Sequence, residues 1–291
     1  MSVQDTIDAD VLGLRCTGFY EKMANFRSQV STTASLCCLT SSIYTIIIDH
    51  TETKEGNFNM LFLKFGKKEH LQQLKEGIIH FSPLSSYIDD STRFRGDRLE
   101  GKLLADLNQT FLINGVDIMP YVQEIVHTYD GFESILSFSV SKLDFTNCHI
   151  SSDGLYTPNA DFIEEMSQFG SHVLIFSSND FILELGRIFT RHKCNISYKS
   201  VFYCNKSDHE AIVKYFQVVA DASDPYEYCF IKDASPYAKQ NEWRAIIHDL
   251  GNEFPVDRTG GVNIQTAFHT EMPIFESIAL QTLQVSEDLL K

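Results

Sequence analysis

The segment from Met60 to Gly101, MLFLKFGKKEHLQQLKEGIIHFSPLSSYIDDSTRFRGDRLEG, restricts the fold more than any other part of this 291-residue chain. Residues 60–65 form a short apolar run that reads as a strand. Residues 67–76 place Leu71 and Leu74 on one helical face, and Gly77 stands where a helix hands over to left-handed backbone. Residues 78–82 read as a second strand. The polar loop that follows carries Tyr87, Asp89, Asp90, Arg93, Arg95, Asp97, Arg98 and Glu100. Both signs of charge directly after a buried strand mark a candidate ligand loop held by a rigid scaffold; the alternative is a solvated loop whose charges face water.

Composition narrows the function classes. The chain is 43% hydrophobic and 22% charged, with a formal net charge of −15. Such a balance argues against a broad nucleic-acid or membrane surface, because phosphate is repelled on average. A local basic channel built from Lys64, Lys67, Lys68, Arg93, Arg95 and Arg98 stays compatible with it. Seven cysteines without a C-x-x-C motif argue against a zinc ribbon or a disulfide framework and for reduced thiols in a cytoplasmic setting. No run combines membrane length with membrane apolarity. No P-loop, G-x-G-x-x-G, H-E-x-x-H or G-x-S-x-G motif occurs, and the histidines show no ligand spacing, so no metal site is expected.

Residues 1–59 differ in texture from the rest. Lys54-Glu55-Gly56 requires a purine-rich GARGG sequence three codons before Met60. That pattern is what a bacterial ribosome-binding site read in frame would look like. We therefore expect Met60 to be the natural start, residues 1–59 to be an extension, and residues 60–291 to form one domain.

Downstream, Asn114-Gly115 between apolar pairs predicts a hairpin. Residues 121–129 suggest a short helix. Residues 135–140 alternate apolar side chains with serine, as a half-buried strand does. Residues 172–176 read as a buried strand. Asn179 is placed to cap a helix with Phe181, Ile182, Leu185, Ile188 and Phe189 in one stripe. Residues 196–204 read as a strand, and Ser207 with Glu210 as a capping box for a helix that turns Ile212, Val213, Phe216 and Val219 inward. Strands are expected at 226–231, 242–248, 262–269 and 274–280. Helices and strands alternate without a regular βαβ beat, which predicts an α+β fold with mixed, mostly antiparallel sheets and flanking helices.

The second informative stretch is YEYCFIKDASPYAKQNEWRAII, residues 226–247. If its last strand begins near Gln240, then Gln240, Glu242 and Arg244 share one face, and Asn241 and Trp243 the other. Three polar side chains on one face suggest a site; the alternative is an edge strand with a solvated face.

Together, LKEGIIHFSPLSSYIDD…GDRLEG, FGSHVLIFSS and IKDASPYAKQNEWRAI resemble, in their order, a broad family of bacterial proteins linked to abortive infection and phage defence. The resemblance spans roughly residues 60–247. One departure is Asp89-Asp90-Ser91, where the family commonly has Asn-Asp-Pro. The layout also resembles ADP-ribosyltransferases, DarT-like toxins among them, whose Gln/Glu-x-Glu motif Gln240-x-Glu242 matches. The resemblance implies a split-sandwich fold and NAD as substrate. It implies Glu242 as the carboxylate that stabilises the oxocarbenium-like state, with Gln240 orienting the acceptor. Phe81, Ser82 and Tyr87 would lie on the nicotinamide side, and Arg93, Arg95 and Asp97 would complete the NAD site. The first strand offers Lys64 where such enzymes place Arg, His or Tyr.

The expected function is that of an NAD-using toxin or phage-defence effector acting on a protein or nucleic acid, with a cognate antitoxin or phage component as a further partner and no membrane. A non-catalytic sensor or antitoxin-type binding module is the alternative. A third possibility is a Mg²⁺-dependent nuclease using Asp89, Asp90, Asp97 and Glu100.

Overall fold

One long serine-punctuated strand organises the sheet. The computed structural model describes residues 60–88, 90, 96–104, 112–113, 116–117, 126–128, 131–206, 208–218, 225–248 and 259–290. Residues 1–59, expected to be an extension, and residues Asp89, Arg93, Arg95 and Ser207 lie outside the described residues.

Eight strands build the main sheet: β1 (Leu61–Gly66), β2 (Ile78–Pro83), β3 (Leu136–Leu143), β4 (His172–Ser177), β5 (Asn195–Ser200), β6 (Glu242–His248), β7 (Val262–Gln265) and β8 (Ile274–Glu276). Their order is β5-β6-β3-β1-β4-β8, while β2 pairs with β3 and carries β7 on its other side. Every one of these pairings is antiparallel. Helices α1 (Lys68–Lys75), α2 (Ala160–Ser167), α3 (Ser178–His192) and α4 (His209–Val218) flank the strands. The chain thus has the expected α+β class, with a mostly antiparallel sheet and flanking helices.

The central feature is a split along one edge of β3. On its other edge β3 pairs with β6 without interruption, from Ser141 opposite Glu242 to Leu136 opposite Ile247. On the split edge β1 pairs only with residues 141–143, and β2 only with Leu136 and Ser137. Between these contacts β1 leaves to pair with β4 along its whole length, and β2 arrives from its pairing with β7. Helix α1 links the two diverging strands. Gly77 makes the return possible: its φ is +88°, and an added Cβ would lie 2.8 Å from the carbonyl oxygens of Thr266 and Phe268.

Strand alternation sorts the core. Phe62, Leu136, Phe138, Val140, Trp243, Ala245 and Ile247 point to one face, where Leu71 and Leu74 of α1 and Phe181, Leu185 and Ile188 of α3 cover them. On the opposite face two separate apolar clusters form. One joins Leu61, Leu63, Phe65 and Leu143 to Phe162, Ile163 and Met166 of α2. The other joins Leu84, Phe132, Ile135, Phe230 and Ile246. Ser137, Ser139, Ser141, Glu242 and Arg244 lie between those two clusters.

Several local expectations change. The helix α3 is capped by Ser177, whose Oγ accepts from the Asn179 N–H at 3.2 Å, and Phe189 faces outward at 50% exposure. Asp208 caps α4, its Oδ1 accepting from the Ala211 N–H at 3.0 Å. Residues 196–204 divide at Val201 into β5 and a short strand, Phe202–Cys204. Pro225–Phe230 is a 3₁₀ helix, because its side chains serve two clusters at three-residue spacing: Tyr226 and Cys229 pack with Phe230, and Tyr228 faces α4. Val126–Thr128 is a strand paired with Lys102–Leu104, not part of a helix. Strands expected to reach 269 and 280 end earlier, at Gln265 and Glu276. At the expected hairpin, Leu112–Ile113 pairs antiparallel with Val116–Asp117.

Candidate functional site

A cleft of about 660 Å³ opens through the split, within the size range of small-molecule sites. Its floor is the serine face of β3, which turns out to face this site and not open solvent. Ser137 and Ser141 are buried there, with Ser139 between them. The broken pairing leaves strand groups to be satisfied by side chains. Lys64 does this at the centre of the split, donating from Nζ to the Ser139 carbonyl at 2.6 Å while lying 4.4 Å from the Phe138 ring centroid.

The charged residues at the cleft form a continuous chain. Glu100 Oε1 accepts from Arg244 Nη1 at 2.5 Å, and Arg244 Nε donates to Glu242 Oε1 at 2.8 Å. Lys232 Nζ donates to Glu242 Oε2 at 3.1 Å and to Gln240 Oε1 at 3.2 Å. Ser139 Oγ adds a 2.5 Å bond to Glu242 Oε1. All four ionic groups are at most 5% exposed, and two carboxylates balance two cations. Such burial is tolerable only because each charge has an opposite partner and further hydrogen bonds.

These partners fix protonation. Burial alone would raise the Glu242 carboxyl, but the Arg244 and Lys232 charges outweigh it and hold the group well below the usual carboxylate range. Glu242 is therefore an anion at any physiological pH and cannot act as a proton donor. Burial pushes the Tyr87 phenol up, with Arg244 partly opposing it, so Tyr87 stays neutral. Oε2 of Glu242 accepts from Lys232 alone among the described residues, which leaves it one acceptor position.

The backbone places these groups. The Glu242 N–H donates to the Tyr203 hydroxyl at 2.9 Å. Asn241 adopts left-handed backbone with φ 44°, and its Nδ2 donates to the Lys142 carbonyl and to Asp144 Oδ2. That bend ends the strand one residue short of Gln240. Gln240 therefore reaches the cleft from a 3₁₀ turn, Ala238–Gln240, and not from the face of β6, while Glu242 and Arg244 do share that face.

Of the residues expected at an NAD site, Glu242, Gln240, Ser82 and Tyr87 line this one cleft, although they come from distant parts of the chain. Phe81 does not: strand alternation turns its ring into the core, 5.9 Å from Phe138. Asp97 does not: Lys206 Nζ donates to its Oδ2 at 3.2 Å in a buried pair, and the same ammonium bonds the Leu99 carbonyl. Arg93 and Arg95 lie outside the described residues. Asp97 and Glu100 spend their carboxylates on Lys206 and Arg244, so they do not form a metal cradle with Asp90, which lines the cleft. Among the described residues no group of three His, Cys, Asp or Glu side chains could hold a metal ion.

Residues 96–101 are a tied strap behind the site. Tyr237 donates its hydroxyl proton to the Gly96 carbonyl, Lys206 holds Asp97, and Arg244 holds Glu100. Gly101 closes the strap at φ +64°, where a Cβ would fall 1.9 Å from the Phe132 ring. Lys232 and the three serines of β3 are the site residues that sequence reasoning passed over. The signal for Lys232 was an isolated lysine following an apolar run.

Compared with known proteins, the chain matches no family model, no curated protein and no solved structure. No helix among the described residues is long and apolar enough to cross a membrane.

Proposed function

We propose that the cleft binds NAD and that the protein is an ADP-ribosyltransferase-like toxin or phage-defence effector that transfers ADP-ribose to a macromolecule. The observation that carries this reading is the meeting of Ser82, Tyr87, Gln240 and Glu242 in one cleft at a split in an antiparallel sheet. The cleft's charge supports it. Lys64, Lys67, Lys232 and Arg244 line it against Asp90 and Glu242, an excess of cations in a chain of net charge −15. A phosphate-bearing ligand is drawn to such a place and repelled elsewhere.

In this reading Glu242 Oε2 accepts from a ribose hydroxyl as the bond from ribose C1′ to nicotinamide breaks. The electron pair leaves with nicotinamide, and the carboxylate offsets the charge growing on the sugar. Gln240 orients the acceptor, whose nucleophilic atom bonds C1′ and releases its proton to solvent water. Tyr87, neutral and partly buried, supplies a flat face for the nicotinamide ring.

The test is label transfer from NAD carrying a labelled adenylate, in cell extract, by the wild type and by Glu242→Gln. Transfer by the wild type that is lost in the variant is the expected result. Absence of both transfer and NAD consumption by the wild type would sink the enzymatic reading. A binding module is the second reading, and one observation favours it: Glu242 already accepts from Ser139, Arg244 and Lys232, as a structural ion pair does. Under it the wild type binds nucleotide or partner, measurable by calorimetry, and consumes no NAD.

A further inference from the structure

We propose that Lys232 is a positioning residue that decides which atoms Gln240 and Glu242 present to the cleft; its kinetic consequence rests on the NAD reading, its structural consequence does not. Lys232 belongs to the short strand Ile231–Asp233, which pairs in parallel with Phe202–Cys204. The pairing holds its backbone away from the main sheet while its side chain reaches back to line the cleft. The ammonium is buried at 4% exposure and sits 4.7 Å from the Tyr237 ring centroid.

Each feature of that ammonium matters for its two neighbours. A primary amide has an oxygen and a nitrogen of nearly equal size, so sterics alone do not choose its orientation. An ammonium donates and never accepts. At 3.2 Å it therefore selects the oxygen of Gln240 and turns the Gln240 nitrogen away from Lys232. The same ammonium holds Glu242 Oε2 at 3.1 Å, which sets the plane of that carboxylate from one side as Arg244 and Ser139 set it from the other. A lysine suits this better than an arginine, because a compact point charge touches two acceptors at once where a planar fork would splay them. Charge balance points the same way. Glu100 and Glu242 share Arg244, so Lys232 supplies the second cation that brings the four groups into balance.

The test uses the full chain as wild type, Lys232→Met and Lys232→Arg. The side-chain amide signals of Gln240 are assigned by their disappearance in Gln240→Glu and followed by ¹H–¹⁵N NMR. In Lys232→Met we expect those signals to shift as the amide loses the ammonium that holds its oxygen. We expect kcat for NAD consumption to fall about 10²-fold, as small misplacements of reacting groups do, with a smaller rise in KM from the lost cation. Lys232→Arg, which keeps the charge, is expected to recover part of that rate. Unmoved Gln240 signals in Lys232→Met overturn the proposal, as does wild-type kcat in that variant. If the wild type consumes no NAD while the Gln240 signals move, the enzymatic reading fails and the positioning role stands. Should Lys232→Met not fold, Lys232→Arg decides: displaced donors are expected to shift the Gln240 signals, and signals identical to wild type overturn the proposal.

Discussion

The two faces of β6 are equally buried and chemically opposite. Trp243 at 3% exposure points into an aromatic cluster, with Phe62 at 4.7 Å, Tyr198 at 5.4 Å and Phe181 at 6.2 Å between ring centroids. Arg244 at 1% exposure points the other way, into carboxylates. Burial therefore does not explain the difference. Replacing the whole group of buried charges by apolar side chains would serve stability as well or better, because the desolvation of buried ions offsets much of their attraction. Charges on a buried face that lines a cleft are better accounted for by what the cleft holds.

The comparison breaks most sharply at Arg244. Arg244→Leu leaves Glu100 and Glu242 buried without their shared partner. A loss of about 3–5 kcal/mol in stability is expected, measured by urea unfolding, together with loss of the NAD binding proposed above. A cost below about 1 kcal/mol would mean the charge chain is hydrated and would undo the contrast between the faces. On the other face, Trp243→Ala removes a core aromatic and is expected to cost a similar or slightly smaller amount, about 3–5 kcal/mol. Here the folded fraction should keep wild-type NAD affinity, read by calorimetry below the unfolding temperature. A change in affinity would show that the apolar face also shapes the cleft.

Acid separates the faces as well. The folded-state value for Glu242 lies below the 4.5 of a free glutamate, so the unfolded chain takes up the proton first. The stability that the ionised group contributes is complete above about pH 4.5 and drains away as pH falls towards the folded value. Glu242→Gln should lower stability at pH 7 and flatten that acid limb. An acid limb identical to wild type would mean that other carboxylates set it.

What could be read in advance follows the physics of each element. The strand–helix–strand unit and its Gly77 turn were legible because the apolar spacing and the left-handed backbone are local requirements. β6 was legible for the same reason. The 83–100 loop was recognised as charged, but two of its carboxylates face inward: Asp97 and Glu100 find Lys206 and Arg244 more than one hundred residues later, and no local pattern states that pairing. Alternation in β3 correctly gave two faces. It could not say that the serine face meets buried ions and not water, since both surroundings suit a hydroxyl. Phe81 and Ser82 were both placed at the site by the resemblance, although neighbours in a strand point to opposite faces.

Tyr237→Phe should have a smaller effect. It removes the bond to the Gly96 carbonyl that ties down one end of the strap, worth about 1 kcal/mol. Burial pushes the Tyr237 phenol up to about 12 from 10.0, so the unfolded chain loses its proton first. That stabilisation is complete below pH 10 and is lost as pH rises towards 12. The phenylalanine variant should show a shallower alkaline limb in a pH series of melting temperatures.

The smallest effect is expected at Lys239, and it sharpens the case for Lys232. Both lysines lie close to Gln240 in the chain, and both pair with a carboxylate at 3.1–3.2 Å. Lys239 meets Asp161 with side chains 59% and 64% exposed, whereas Lys232 and Glu242 are each 6% exposed. Water competes for the outer pair, and the entropy of two long side chains opposes it, so Lys239→Ala should cost under about 1 kcal/mol. Lys239 does not line the cleft, so NAD binding and turnover should also be unchanged. If Lys239→Ala slowed turnover as much as Lys232→Met, charge near Gln240 in general, and not an ammonium fixed between two acceptors, would be what the site requires.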